Sequence, residues 1–197
     1  MMNIICLHGY GSSASILKKI MAKHVEKLEL SYNLIFLDGP HKVGENNCWW
    51  YYDEKLGDEN DKIINWRTIT KEKSIGLEES IEYVKKYIEN EKTYAVIGFS
   101  QGAAFANILA HRFYINKIVL CSGFLIDNNL ENSDNSKIGT ISLHIFGEED
   151  TIIPEELSRE LLDIYTDSQI LSHEKGHIFP TNAVTRNKLL SFLDIKK

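Results

Sequence analysis

The amino-acid sequence predicts an α/β domain: a mostly parallel six-stranded sheet with helices on both faces. Short apolar runs rich in Ile, Val, Leu and Phe recur along the chain, and segments with helical hydrophobic spacing lie between them. Neither a repeat nor a linker divides the alternation. Apolar runs of this kind suit strands buried on both faces. Regular alternation of strand and helix calls for right-handed crossovers in a parallel sheet. At 197 residues the chain has the length of one sizeable domain, so a single core across 1–197 is expected.

The first strand is expected over 3–7 and the second over 33–37, with a helix over 14–30 between them. A helix over 71–89 follows. Ile75, Leu77, Ile81, Val84, Tyr87 and Ile88 fall largely on one stripe there, while Glu78, Glu79, Glu82, Lys85 and Lys86 face outward. The remaining strands are expected over 94–99, 117–121, 141–146 and 169–171, and the remaining helices over 101–113, 154–165 and 181–193. Pro154 and Pro180 suit the first turns of the last two helices, where a missing N–H costs nothing. Two stretches break the alternation. Residues 40–70 hold "CWWYYDE" and Trp66 among Asn, Asp, Glu and Gly, which reads as a long excursion, lid-like or walling a pocket. Residues 127–139 read as a polar loop.

Composition narrows the function. The net charge is −6, without a long basic stretch or a stripe of Lys and Arg interleaved with aromatics, so the electrostatic footprint of a nucleic-acid binder is missing. Small-molecule substrates fit better. The opening apolar run has no basic region ahead of it and is far too short to span a bilayer. Three cysteines, Cys6, Cys48 and Cys121, lack metal-ligand spacing and suit buried free thiols of a reducing compartment, so a cytoplasmic protein is expected.

Ligands of such sheets bind beyond the carboxyl ends of the strands. After the first strand comes His8-Gly9-Tyr10-Gly11-Ser12-Ser13, after the third Gly98-Phe99-Ser100-Gln101-Gly102, after the fifth Gly147-Glu148-Glu149-Asp150, and after the last His173-Glu174-Lys175-Gly176-His177. A glycine-rich turn, a G-x-S-x-G, an acid and a histidine thus appear in the chain order Ser, Asp, His. A serine on a sharp strand-to-helix turn takes a strained backbone, and its neighbours two residues away must be small. Gly98 and Gly102 meet that demand. The following helix aims its N-terminal N–H groups at the same spot. Because a serine hydroxyl is a poor nucleophile at neutral pH, a histidine must take its proton, and a carboxylate must hold the imidazole tautomer. The backbone N–H groups of Gln101 and Tyr10 complete an oxyanion hole.

Each assignment has a rival. A G-x-S-x-G alone reads as a helix cap, and only its placement with the later acid and base favours Ser100 as nucleophile. Asp150 competes with Glu148 and Glu149 and is preferred because it opens the next helix. His177 is preferred over His173 because Gly176 lets its loop curl back over the sheet, while His8, His24, His41, His111 and His144 have structural or surface explanations. Trp49 and Trp50 either pack over the sheet edge or wall a substrate pocket.

The blocks "LHGYGSSA", "CWWYYDE", "IGLEESIEYVKKYI", "YAVIGFSQGAA", "IVLCSGF", "GEEDTIIP" and "HEKGHIFP" resemble, in order and across nearly the full chain, those of the serine hydrolase family often called FSH, within the α/β-hydrolase superfamily. The resemblance implies that Ser100, Asp150 and His177 are catalytic and that carboxylic esters are hydrolysed. The related acyl-protein thioesterases and small carboxylesterases share similar serine and histidine blocks but usually lack the paired tryptophans. The expectation is an α/β-hydrolase fold of strand order 2-1-3-4-5-6, because the serine follows an interior strand and building reverses direction after strand two. It acts on a small-molecule ester and needs no metal or organic cofactor. Thioesterase activity, or ligand binding without catalysis, are the alternatives, and the sequence is silent on oligomeric state.

Overall fold

The computed structural model describes residues 1–52, 74–90, 92–126 and 138–194. Along the chain run β1 (Met2–Leu7), α1 (Ala14–Ile20), α2 (Ala22–Leu28), β2 (Tyr32–Leu37), β3 (His41–Val43), β4 (Asn46–Cys48), β5 (Tyr51–Tyr52) and β6 (Ser74–Ile75). Then come α3 (Leu77–Asn90), β7 (Thr93–Phe99), α4 (Gln101–Arg112), β8 (Lys117–Cys121), β9 (Ile138–Gly147), α5 (Glu155–Glu160), β10 (Tyr165–His173) and α6 (Ala183–Phe192). Six strands form one sheet in the order β10-β9-β8-β7-β1-β2, with every neighbouring pair parallel. This is the expected order, read from the other edge.

The inner strands are buried on both faces, and their side chains alternate between two cores. Ile5 and Leu7 of β1 join the core under α3, α4 and α5, whereas Ile4 and Cys6 join the one under α1, α2 and α6. Every residue of α4 from Gln101 to Ala110 is buried. Ala103, Ala104 and Ala106 let that helix lie close on the sheet. Cys6, Cys48 and Cys121 are buried and free, and burial pushes all three thiols up from their ordinary pKa, Cys48 to about 11. Among the described residues no helix is long and apolar enough to cross a membrane.

Several boundaries differ from expectation. The helix expected over 14–30 breaks at the buried Met21, where a short turn bond from the His24 N–H to the Met21 carbonyl redirects the chain. The bend carries the His24 ring to the Pro180 carbonyl, 2.9 Å away. Pro180 therefore precedes the last helix instead of opening it, and Asn182 caps α6 by accepting the Thr185 N–H at 2.8 Å. The helix expected over 154–165 ends early because Tyr165 already pairs with Ile138 in the sheet. Edge strand β10 is longer than its apolar run because solvent bathes one side, and polar Thr166, Asp167, Ser168 and Gln169 occupy it. Trp66, residues 53–70 of the excursion, the 71–73 start of the expected helix and 127–137 of the polar loop lie outside the described residues.

His144 points from β9 into a buried polar cluster, hydrogen-bonded to Ser142 at 2.9 Å and edge-on to Tyr165, whose hydroxyl donates to Asn107 at 2.6 Å. Burial lowers its pKa from 6.5 to about 4. The folded protein thus resists a proton that the unfolded chain accepts, and stability falls as pH drops from 6.5 towards about 4. His144→Phe keeps a ring but removes the titration. We expect urea-derived stability of this variant to lose up to about 1.4 kcal/mol per pH unit of the slope across that window. An identical slope in both proteins would refute the assignment.

Candidate active site

At the carboxyl edge of the central strand β7 the chain turns sharply into α4, and Ser100 sits on the turn with φ 54° and ψ −119°. Side chains other than hydrogen are disfavoured there, so the conformation is held by its surroundings. A methyl on Gly98 would overlap the Gly102 carbonyl and the Ala103 Cα, and one on Gly102 would overlap the carbonyls of Leu7 and His8. The two glycines let strand, turn and helix close against one another and against the end of β1.

The Ser100 hydroxyl faces His177, with Oγ 3.0 Å from Nε2, and Nδ1 of the same ring is 2.7 Å from Asp150 Oδ2. A carboxylate only accepts, so the ring proton resides on Nδ1, and Nε2 is left to accept from the serine. Phe99 packs its ring on the imidazole at 5.0 Å. Asp150, whose side chain is fully buried, accepts four hydrogen bonds: from the Ile152 and Ile153 N–H groups on Oδ1, and from Ser122 and His177 on Oδ2. Burial alone would push this carboxyl up. The bonds from His177, the Ile153 N–H and Ser122 outweigh it and hold the group below the usual carboxylate value.

The sheet ladder continues past the strand ends and ties these carriers together. The Ser100 N–H donates to the Cys121 carbonyl at 2.8 Å, Ser122 to Ile145 at 2.8 Å, and Glu148 to His173 at 2.9 Å. Of the rival acids and base, Glu148 and Glu149 are exposed, and the His173 ring accepts the Lys175 N–H at 3.3 Å. Ser100, Asp150 and His177 are therefore the set that the fold brings into contact.

The loop after β1 runs past the serine. A methyl on Gly9 would sit 3.3 Å from Ser100 Cβ. His8 pins this loop: its Nδ1 donates to the Gly9 carbonyl at 2.7 Å, and its Nε2 accepts the Gly39 N–H at 2.9 Å. Burial lowers the pKa of the His8 ring, which suits this neutral tautomer. Tyr10 follows, its ring 5.1 Å from that of Tyr52. Gln101 is the first residue of α4, where a backbone N–H has no intrahelical acceptor.

Trp49 and Trp50 face inward. Both are fully buried, and Trp49 stacks on Phe105 at 4.8 Å, as in the packing alternative that the sequence left open. Their backbones grip the Gln101 side chain: the Trp49 N–H donates to Oε1 at 2.9 Å, and Nε2 donates to the Trp50 carbonyl at 2.9 Å. The Trp49 indole N–H donates to the His8 carbonyl at 2.8 Å. Trp49 thereby bonds to both chain segments that flank Ser100.

A family model described as serine hydrolase (FSH1) matches residues 1–189. The chain belongs to this serine hydrolase family. Esterase OVCA2 of Danio rerio is 31% identical, with 98% of this chain and 96% of that protein covered. Among solved structures, esterase PE8 matches with a TM-score of 0.72 at 20% identity over 98% of this chain and 91% of that one. Acyl-protein thioesterase 2 of Zea mays matches with a TM-score of 0.68 at 18% identity over 98% and 94%. Both structural likenesses concern the fold, which is that of α/β-hydrolases.

In this serine hydrolase, sequence reasoning missed Ser122 and the Gln101 side chain. Nothing in a lone polar residue after a strand marks Ser122, and Gln101 counts only for its backbone in the motif. Trp49→Phe removes the bond to the buried His8 carbonyl and should destabilise by about 1–3 kcal/mol beyond the lost packing. The Trp50 indole N–H has no partner among the described residues, so Trp50→Phe serves as the packing control. Equal urea midpoints for the two variants would contradict the bracing role.

Proposed function

We propose that this serine hydrolase cleaves carboxylic esters of small-molecule or lipid-like substrates through an acyl-enzyme on Ser100. The observation that carries the reading is the unbroken hydrogen-bonded chain from Ser100 through His177 to Asp150, at 3.0 and 2.7 Å. Ser100 Oγ attacks the ester carbonyl while His177 Nε2 takes its proton. The tetrahedral oxyanion accepts the backbone N–H groups of Gln101 and Tyr10. His177 then protonates the departing alcohol, which leaves Ser100 acylated. Water enters, gives a proton to Nε2 and attacks the acyl carbon. The carboxylic acid departs as the proton returns to Oγ.

Asp150 contributes by staying charged and fixed. Its anion stabilises the imidazolium that forms twice per turnover, and its bond to Nδ1 keeps Nε2 aimed at the serine. The buried free thiols suit a cytoplasmic setting.

With p-nitrophenyl esters of graded acyl length, Ser100→Ala should abolish turnover and labelling by a fluorophosphonate probe. Asp150→Asn should lower kcat by about 10⁴-fold, because it misplaces the ring proton. Full esterase activity in Ser100→Ala would sink the nucleophile assignment. A folded protein that the probe never labels would instead mark a ligand-binding module, and faster turnover of acyl thioesters than of every oxygen ester would replace the substrate class.

A further inference from the structure

We propose that Ser122 is a positioning residue for this hydrolysis, acting through Asp150; the inference rests on the ester-hydrolase reading above. Ser122 follows β8, is fully buried, and holds φ at 49°, in the left-handed region where a side chain is disfavoured. Glycine would meet the same backbone demand without strain, but it would bring no hydroxyl. At this position the hydroxyl donates to Asp150 Oδ2 at 3.0 Å. A strained, buried, non-glycine residue bonded to a working group is where an outlier points to function.

The geometry defines what the bond does. Oδ2 is the same oxygen that accepts His177 Nδ1–H, so two donors converge on it, while the Ile152 and Ile153 N–H groups hold Oδ1. With both oxygens engaged, the carboxylate cannot rotate about its last bond without breaking a contact. Ser122 also takes up part of the charge on Oδ2 and so moderates the pull of Asp150 on the imidazolium. The backbone fixes the hydroxyl in turn: the Ser122 N–H donates to Ile145, and Cys121 accepts from the Ser100 N–H. Ser158, from α5, donates to the Gly123 carbonyl at 2.8 Å. The other titratable groups facing Asp150 are Cys121 from β8 and His173 from β10, with Lys175 and Glu148 beside the latter. The Cys121 thiol, which also lies within hydrogen-bonding reach of Ser122, is turned to the Ile178 carbonyl at 3.6 Å, and His173 Nδ1 accepts the Lys175 N–H, so Ser122 is the hydroxyl donor that Oδ2 has.

The test compares Ser122→Gly and Ser122→Ala with the unsubstituted enzyme in melting temperature, kcat, KM and the pH profile of kcat/KM on a short p-nitrophenyl ester. Ser122→Gly relieves the backbone and should melt no lower than the unsubstituted protein. Both variants should lower kcat about tenfold at unchanged KM, the loss expected for one hydrogen bond to a charged group. In both, the acid limb of the profile should move to higher pH, because the freed charge on Oδ2 strengthens the hold on the imidazolium. Combined with Asp150→Asn, Ser122→Gly should lower kcat no further. Unchanged kcat and an unmoved acid limb in both variants would overturn the role, as would an undiminished loss in the Asp150→Asn background. Loss of the ester-hydrolase reading shows separately, as an unsubstituted protein that neither turns over esters nor takes the fluorophosphonate label.

Discussion

The backbone of Ser100 is the constraint from which the site follows. A serine at φ 54° is unfavourable by itself, so everything touching the turn must hold it there. Strand β7 lies in the middle of the sheet, flanked by β1 and β8, and cannot yield. On the other side of the turn, α4 is buried along most of its length and packs so closely that its second residue must be glycine. The strained turn presents one hydroxyl at the start of a helix, where the positive dipole end favours negative charge. Capping and nucleophilic readings of this serine therefore do not exclude each other, since both place it at the helix start. Its Oγ makes no cap bond to the helix and faces His177 instead.

Precision at such a site comes from the sheet more than from the loops. Ser100, Ser122 and Asp150 follow three adjacent strands, and the ladder bonds continue into the turns that bear them. His177 comes from a longer loop after the edge strand, and it is held by side-chain contacts: Asp150 at one nitrogen and Phe99 across the ring. Electrostatics follow the same division. The Asp150 carboxylate has lost its water, and donors fixed in place by the fold restore its solvation. Such donors need no reorganisation when the imidazole gains its charge.

What could be read from the sequence were features dominated by one strong local term. Doubly buried strands announce themselves as apolar runs, and the order of the sheet follows from strand-helix alternation together with the place of the serine. That Ser100, His177 and Asp150 would meet could be read because the expected chemistry restricts each position to few residue types and the fold restricts where they fall. Edge strand β10 was mostly invisible because its solvent side is polar, and the break at Met21 depends on a distant carbonyl at Pro180. Ser122 illustrates the deeper limit. A hydroxyl whose carboxylate partner lies twenty-eight positions away leaves no spacing to recognise.

The aromatic segment carries the same lesson to the turn after β1. Paired tryptophans suggest packing or substrate contact, and what the structure shows of them is packing and hydrogen bonding. The segment's backbone groups need partners once the indoles are buried, and the Gln101 side chain supplies an acceptor and donors in one amide. Gln101 thus works at two levels, its backbone facing the serine turn and its side chain binding the Trp49 and Trp50 main chain. The Trp49 indole reaches the His8 carbonyl on the opposite side of the serine. One residue therefore spans the two segments and holds them in register. The brace that these bonds form therefore belongs to the interior, between the helix start that follows Ser100 and the turn that follows β1.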